Sequence, residues 1–276
     1  MAVKNILLAY NGSASSEAAL KAAILMHAKH DTHVTGLLAH GCSKIDANLR
    51  PWMPNSMRES LLEMEDEANK RIEAQFFSSA QAHIAGDKLH WIAERGRSNA
   101  TVSEYARMFD ITVVGQHDAL LGAEHLELHP DRIAVKSGRP VLVFPKDWDE
   151  PNINEHAVLA WDGRRTATRA LADAMQILET KKLITVLTVD NGKIGEPLKG
   201  IDVEVALRRH GIEVEMVRVK SQGRSVGQTI LDYCDERGAG LLVTGAYEHS
   251  VFREELMGGV TNKLVRQAKL PVLMSH

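Results

Sequence analysis

Short apolar runs alternate along this chain with longer segments in which apolar residues recur at helical spacing, and the whole series occurs twice. The first series opens with a strand expected over 6–10, a polar turn Asn11-Gly12-Ser13, and an Ala-rich helix over 15–30 that keeps Ala18, Ala22, Leu25 and Met26 on related positions. The second opens with a strand over 157–161, the turn Asp162-Gly163-Arg164, and a helix over 166–179 with Ala170, Leu171, Ala174, Ile177 and Leu178 at the same spacing. Ser13 and Thr166 have the side chains of helix N-caps. Second strands follow at 33–38 and 183–189, and third strands at 89–94 and 213–219. Between them lie a long charged helix over 56–82 in the first series and a shorter helix over 197–210 in the second. Helices over 98–109 and 225–237 lead to fourth strands at 111–115 and 241–245, and each series closes with a strand behind a proline, 141–144 and 272–274.

Strands alternating with helices specify a parallel sheet covered on both faces. The pattern therefore predicts two tandem α/β domains, 1–145 and 156–276, joined by an acidic, proline-containing linker over 145–155. In doubly wound sheets, ligands bind beyond the carboxyl ends of the strands where strand order reverses. That directs attention to the loops after the first and fourth strands of each domain.

The 276 residues are enough for two cores, and the hydrophobic fraction of 44% and charged fraction of 25% are ordinary for a globular protein. Aromatics supply only 5%, so the cores must be built from Ala, Val, Leu and Ile. A net charge of −3 argues against nucleic acid or an anionic membrane surface as partner. No window approaches the ~20 apolar residues of a membrane span. The N-terminal apolar run is too short for a signal peptide. Two distant thiols, Cys42 and Cys234, form no metal pair and suit a reducing compartment, so the expected location is cytoplasmic.

The loop after the fourth strand of the second domain carries the strongest chemical signal. Its strand ends in Gly245, a polar loop follows, and the pair Gly258-Gly259 opens a new helical segment. Glycines let the backbone approach a ligand closely, and helix-first-turn N–H groups attract a phosphate. The corresponding loop behind Gly115 is eroded.

These turns and this loop resemble those of the universal stress proteins, and the resemblance covers 3–144 and 157–276. It implies an adenine-nucleotide α hydrolase-like, doubly wound five-stranded parallel sheet of order 3-2-1-4-5 in each domain. In nucleotide-binding members the first strand ends in Asp-Gly-Ser, and a stretch Gly-x-x-Gly-x(9)-Gly-[Ser/Thr] after the fourth strand holds the ATP phosphates. Carried over by position, Asp162, Gly163, Gly245, Gly258, Gly259 and Thr261 match or neighbour motif positions, and His249, Ser250, Arg253 and Val260 belong to the same loop and helix start. The resemblance thus implies ATP, with or without Mg²⁺, as ligand of the second domain. Departures are specific. Arg164 replaces the Ser of the first turn, Glu248 replaces the second glycine, and Gly259 replaces the Ser/Thr. In the first domain, Asn11 replaces the acid, Asp118 replaces the second glycine, and Leu128-His129 stand where Gly-[Ser/Thr] is expected, so that phosphate site is read as lost. The family pairs domains through their last strands, which implies an internal pseudo-dimer and leaves a homodimer open.

Glu248 either repels a triphosphate or holds it through a divalent cation. Thr261 is placed to supply the hydroxyl that Gly259 lacks, and Arg253 and Lys263 offset the acids around them. Plainer readings compete: the glycine pair ends a loop, Asp162 caps a helix, and Arg253-Glu254-Glu255 is a solvated charge cluster. The helix over 56–82 presents Leu61, Leu62, Met64, Ala68, Ile72 and Phe76 as its apolar positions, with a protein-partner surface as the alternative. A metal reading rests on the first-domain loop, where His117, Asp118, Glu124, His125, Glu127, His129 and Asp131 are zinc-type ligands. Their spacing is not that of a known site, and His125 and His129 would face together only on a helix. No Walker lysine, nucleophile elbow or Cys/His pair is present, so no catalytic residue is assigned. The expectation is a stress-response regulatory protein that binds an adenine nucleotide, at most a slow ATPase. The alternatives are a protein acting on another small ligand or on partners alone, or a metal-binding protein.

Overall fold

The computed structural model describes residues 3–41, 52–120, 124–151, 154–190, 200–247 and 259–276. The first half runs β1 (Asn5–Ala9), α1 (Ala14–His30), β2 (His33–His40), α2 (Asn55–Ala80), β3 (Leu89–Arg95), α3 (Ser98–Ala106), β4 (Ile111–Gly115), α4 (Pro130–Ser137) and β5 (Val141–Phe144). The second runs β6 (His156–Ala160), α5 (Arg165–Leu178), β7 (Leu183–Asp190), α6 (Val203–Arg209), β8 (Val214–Lys220), α7 (Val226–Glu236), β9 (Leu241–Gly245), α8 (Val260–Gln267) and β10 (Val272–Ser275).

Each half has the expected 3-2-1-4-5 order, all parallel, but the halves are not two separate sheets. They form one ten-stranded sheet of order β3-β2-β1-β4-β5-β10-β9-β6-β7-β8. The join is antiparallel, with Val143 opposite Val272, Leu142 opposite Leu273 and Val141 opposite Met274. Equivalent strands meeting antiparallel relate the halves by a pseudo-twofold axis near the Leu142–Leu273 pair, the geometry of an isologous dimer interface.

Strand alternation feeds two cores. Ile6, Leu8, Ala157, Leu159, Leu241 and Val243 point to the face covered by α1, α2, α5 and α6. Leu7, Ala9, Val158 and Leu242 point to the face covered by α3, α4, α7 and α8. Both layers continue across the β5–β10 join, because the pleat sends successive side chains to opposite faces. Among the described residues, no helix is long and apolar enough to cross a membrane.

Ser13 caps α1 as expected, its hydroxyl accepting from the Ser16 N–H at 3.3 Å. Thr166 does not cap α5. The helix starts one residue earlier with Arg164 at the N-cap position, and Thr166 is buried inside the first turn. Helix α6 begins at Val203, where the Asp202 carboxylate accepts from the Val205 N–H at 2.8 Å. Pro197, expected near its start, lies outside the described residues.

The apolar stripe assigned to the long helix is only half used. Phe76 and Ala80 are buried and Ile72 packs partly, yet Leu62 and Met64 are exposed and Leu61 is only half-buried. Helical periodicity in the N-terminal half of α2 thus leaves Leu62 and Met64 facing water.

Candidate functional site

The two crevices behind the first strands are built from equivalent turns and differ in what covers them. Gly12 and Gly163 both adopt φ +75°, a left-handed conformation that glycine enters without a Cβ penalty. At Gly12 a Cβ would lie 3.2 Å from Ile72 Cγ1 and 3.4 Å from Gln75 Oε1, because α2 packs over the turn. Gln75 Nε2 also donates to Glu17 Oε1 at 2.7 Å, which fixes that helix against α1. At Gly163 a Cβ would meet nothing within 4 Å among the described residues.

Asn11 turns the first crevice into a closed one. Its Oδ1 accepts from the Ser13 N–H and hydroxyl, at 3.1 and 2.7 Å, while Nδ2 donates to the Leu126 carbonyl at 3.1 Å. Only an amide can do both; the expected carboxylate has no donor for Leu126. The loop behind β4 is tied down again from α3. Ser98 Oγ donates to the His125 carbonyl, Asn99 Nδ2 donates to the Glu127 carbonyl at 3.1 Å, and Asn99 Oδ1 accepts from the His129 N–H at 2.6 Å. What remains between Asn11, Ser15, Gly115, Gln116, Asp118 and Leu128 is a void of about 10 Å³. That holds a single water at most. At the start of α4, Pro130 has no N–H to offer an anion.

In the second half, Asp162 is exposed, and its Oδ1 accepts from the Arg164 N–H at 3.0 Å in a short Asx turn. Helix α8 opens at Gly259, which has φ −68° and ψ 162° and no side-chain cap. Its first N–H groups have no intrahelical acceptor. A Cβ at Gly259 would meet nothing within 4 Å among the described residues. Thr261 is buried, and its Oγ1 accepts from the Tyr247 N–H at 3.2 Å, so its own hydroxyl hydrogen stays available for an acceptor. Val260 is 41% exposed at the same helix end. Lys263 Nζ donates to Ser225 Oγ at 3.3 Å, which holds a cation beside the crevice.

Gly245 has a second job that its motif position does not reveal. A Cβ there would sit 2.6 Å from the Thr166 carbonyl carbon and 2.8 Å from Ala167 N, so the first turn of α5 rests on the end of β9. Gly115 makes the same contact with Ser15, at 2.4 Å to its backbone. The first motif glycine thus serves close packing in both halves. His249, Ser250, Arg253, Gly258 and Glu248 lie outside the described residues.

The seam between the halves holds a separate cleft of about 250 Å³ lined by Met26, Phe144, Trp148, Ile177, Lys181 and Cys234, among others. Its cations are engaged: Lys29 Nζ donates to Thr180 Oγ1, Lys181 Nζ to the Asn154 carbonyl, and Lys269 pairs with Asp235. Burial brings the Lys181 ammonium down to about 8 and pushes the Cys234 thiol up to about 12. A buried thiol held in its protonated form is a poor nucleophile.

Sequence and structure can be compared with known proteins on this basis. A model of the universal stress protein family matches residues 2–145 and, again, 154–276. The chain belongs to the universal stress protein family. Universal stress protein Slr1230 of Synechocystis is 25% identical over 174 residues, spanning 60% of this chain and 57% of that protein. A universal stress protein from Archaeoglobus fulgidus superposes with a TM-score of 0.73 at 16% identity, over 98% of this chain and 95% of that one. A putative universal stress protein from Pseudomonas aeruginosa gives 0.54 at 12% identity, over 99% and 93%. At such identities the solved structures speak for the fold.

Two features of this universal stress protein were not legible as site features. Tyr247, in the loop behind β9, has φ +41° and reaches across to Asp131 of the first half with its hydroxyl. And the histidines that meet in the first-half loop are His117 and His129, with ring centroids 4.4 Å apart, not His125 and His129. His125 sits in a 3-10 turn, Glu124–Leu126, so the helical register that would pair it with His129 does not exist.

Proposed function

We propose that this universal stress protein binds an adenine nucleotide, ATP with or without Mg²⁺, in the crevice of its second half, and acts as a regulatory binder, not as a catalyst. The observation that supports the reading is the contrast between equivalent turns: α2 covers Gly12, whereas no described residue lies within 4 Å of a Cβ at Gly163, and the first position of α8 is Val260, which has an N–H, where that of α4 is Pro130, which has none. Backbone amides at an uncapped helix start, with the macrodipole behind them, favour phosphate. Asp162, Gly163, Gly259, Val260 and Thr261 would line that space, with His249, Ser250, Arg253 and Gly258 of the adjoining loop closing it. Occupancy would select one state of that loop, and differential affinity for the two states is what could be passed to a protein partner.

The test is direct. Untagged protein is denatured and the supernatant assayed for nucleotide, and the apo protein is then melted with and without ATP and Mg²⁺. At a hundredfold excess over the dissociation constant, binding stabilises by about 2.7 kcal/mol. No nucleotide in the supernatant and an unmoved melting temperature would overturn the reading. Glu248→Gly separates two roles for that carboxylate: tighter ATP binding means repulsion, and weaker binding that also loses its Mg²⁺ dependence means a bridging cation.

A further inference from the structure

We infer that the first half, having closed its nucleotide crevice, carries a site for a divalent first-row transition metal of the zinc type, with His117, Glu127 and His129 as its protein ligands. One ligand atom from each of the three lies within 4.8 Å of the other two. In tetrahedral zinc coordination, with bonds of about 2.0–2.2 Å, neighbouring ligand atoms stand about 3.3 Å apart. The set therefore has to close by about 1.5 Å at most, a movement on the scale of side-chain torsions.

Two imidazoles and a carboxylate select the ion. Calcium and magnesium take oxygen ligands, whereas nitrogen-rich sets favour zinc, cobalt or nickel. Three protein ligands leave a fourth position for water or a small anion.

Two independent observations distinguish this cluster from chance proximity. His117 Nδ1 is buried and has no hydrogen-bond partner among the described residues, an unmet polar atom of the kind that requires an explanation. The ligands are also positioned from outside. Glu127 Oε1 accepts from the Leu120 N–H at 3.0 Å, and the Asn99 amide grips the Glu127 carbonyl at 3.1 Å and the His129 N–H at 2.6 Å. Asn99, on the first turn of α3, is thus a positioning residue for two of the three ligands. Neighbouring Asp131 is not a ligand, because it accepts the Tyr247 hydroxyl.

The experiment uses the untagged full chain, stripped with a chelator and retitrated. Cobalt(II) should bind at one equivalent with the visible absorption of a low-coordinate nitrogen–oxygen site, and zinc should displace it. In a chromogenic competition assay, His117→Ala, His129→Ala and Glu127→Gln should each weaken zinc binding at least a hundredfold. Asn99→Ala should weaken it about tenfold to a hundredfold. His125→Ala and His83→Ala, surface histidines outside the cluster, should leave affinity and spectrum unchanged. Circular dichroism and melting of each apo variant keep loss of metal distinct from loss of fold, and Glu127→Gln, which keeps size and shape, decides the matter if a histidine variant does not fold. The inference is overturned if the stripped chain takes up no equivalent of metal, or if the bound metal is indifferent to His117, Glu127 and His129. ATP binding by the second half is measured separately and can fail without touching this result.

Discussion

Tyr247 donates its hydroxyl to Asp131 Oδ2 at 2.6 Å, across 116 positions of sequence and from one half of the molecule to the other. The same tyrosine anchors its backbone N–H on Thr261 Oγ1 at 3.2 Å. It therefore ties the loop behind β9 to both α8 of its own half and α4 of the other. A hydrogen bond to a charged group contributes about 1.5–3 kcal/mol. Tyr247→Phe should lower stability by about that much, read from denaturant unfolding with an unchanged slope. The pH dependence has a definite sign. Burial first, and then Asp131, hold the Tyr247 phenol well above its ordinary range, and burial and Glu17 do the same for Tyr10. A group whose folded value is raised contributes stability that is complete below its unfolded value and lost above it. The gap between wild type and Tyr247→Phe should therefore hold below pH ~10 and narrow above it. A gap that widened with alkali would contradict this.

The glycines of the second-half loop separate scaffold from ligand contact. Gly245→Ala pushes a methyl group to 2.6 Å from the Thr166 backbone, and overpacking of that kind costs about 1–3 kcal/mol. Gly259→Val meets no described residue within 4 Å at its Cβ and sits at an ordinary φ of −68°, so the loss of stability should stay below about 1 kcal/mol. If the proposed nucleotide site is correct, the second variant loses ATP binding while melting almost normally, and the first melts early whether or not ATP is present. Unaltered ATP affinity in Gly259→Val would remove α8 from the site.

Lys181 gives a pH signature at the seam between the halves. Burial, and then repulsion from Lys29, bring it down to about 8 from 10.5. Between those values the unfolded chain holds a proton that the folded protein has released, so this lysine makes stability rise with pH across that window. Lys181→Met removes the contribution. Comparing the two proteins from pH 7 to pH 10, wild type should gain on the variant by an amount on the order of 2–3 kcal/mol. Taking the difference cancels the opposing effect of Cys234, whose raised thiol loses stability over the same range in both. Parallel curves would mean that the Lys181 ammonium is better solvated than its surroundings imply.

How far the sequence could be read depended on the range of each interaction. Strand and helix positions were legible because their periodicity is local: β4, β5 and β9 fall on the expected residues, and Ser13 announced its own cap. Thr166 misled because a threonine suits both a cap and the first helical turn, and it lies two residues inside the N-cap, where it packs against Gly245. Leu62 and Met64 misled because a helical stripe says which residues share a face and not whether anything lies opposite it.

The sequence showed the first-half loops departing from the motif at Asn11, Asp118 and Leu128-His129. What replaced the motif was not legible there. The meeting of His117 with His129 follows from a 3-10 turn and from the grip of Asn99 on the loop, neither of which leaves a spacing in the sequence.

Alternating polarity and turn residues by themselves determined two doubly wound halves, because these rest on backbone preference and local side-chain chemistry. Only the tertiary structure decided that β5 and β10 merge the halves into one sheet, that α2 covers Gly12 while no described residue covers Gly163, and that Tyr247 reaches Asp131. Those outcomes depend on which surfaces the folded halves bring within a few ångströms of each other, and that distance is set by the packing of whole layers, not by any neighbouring run of residues.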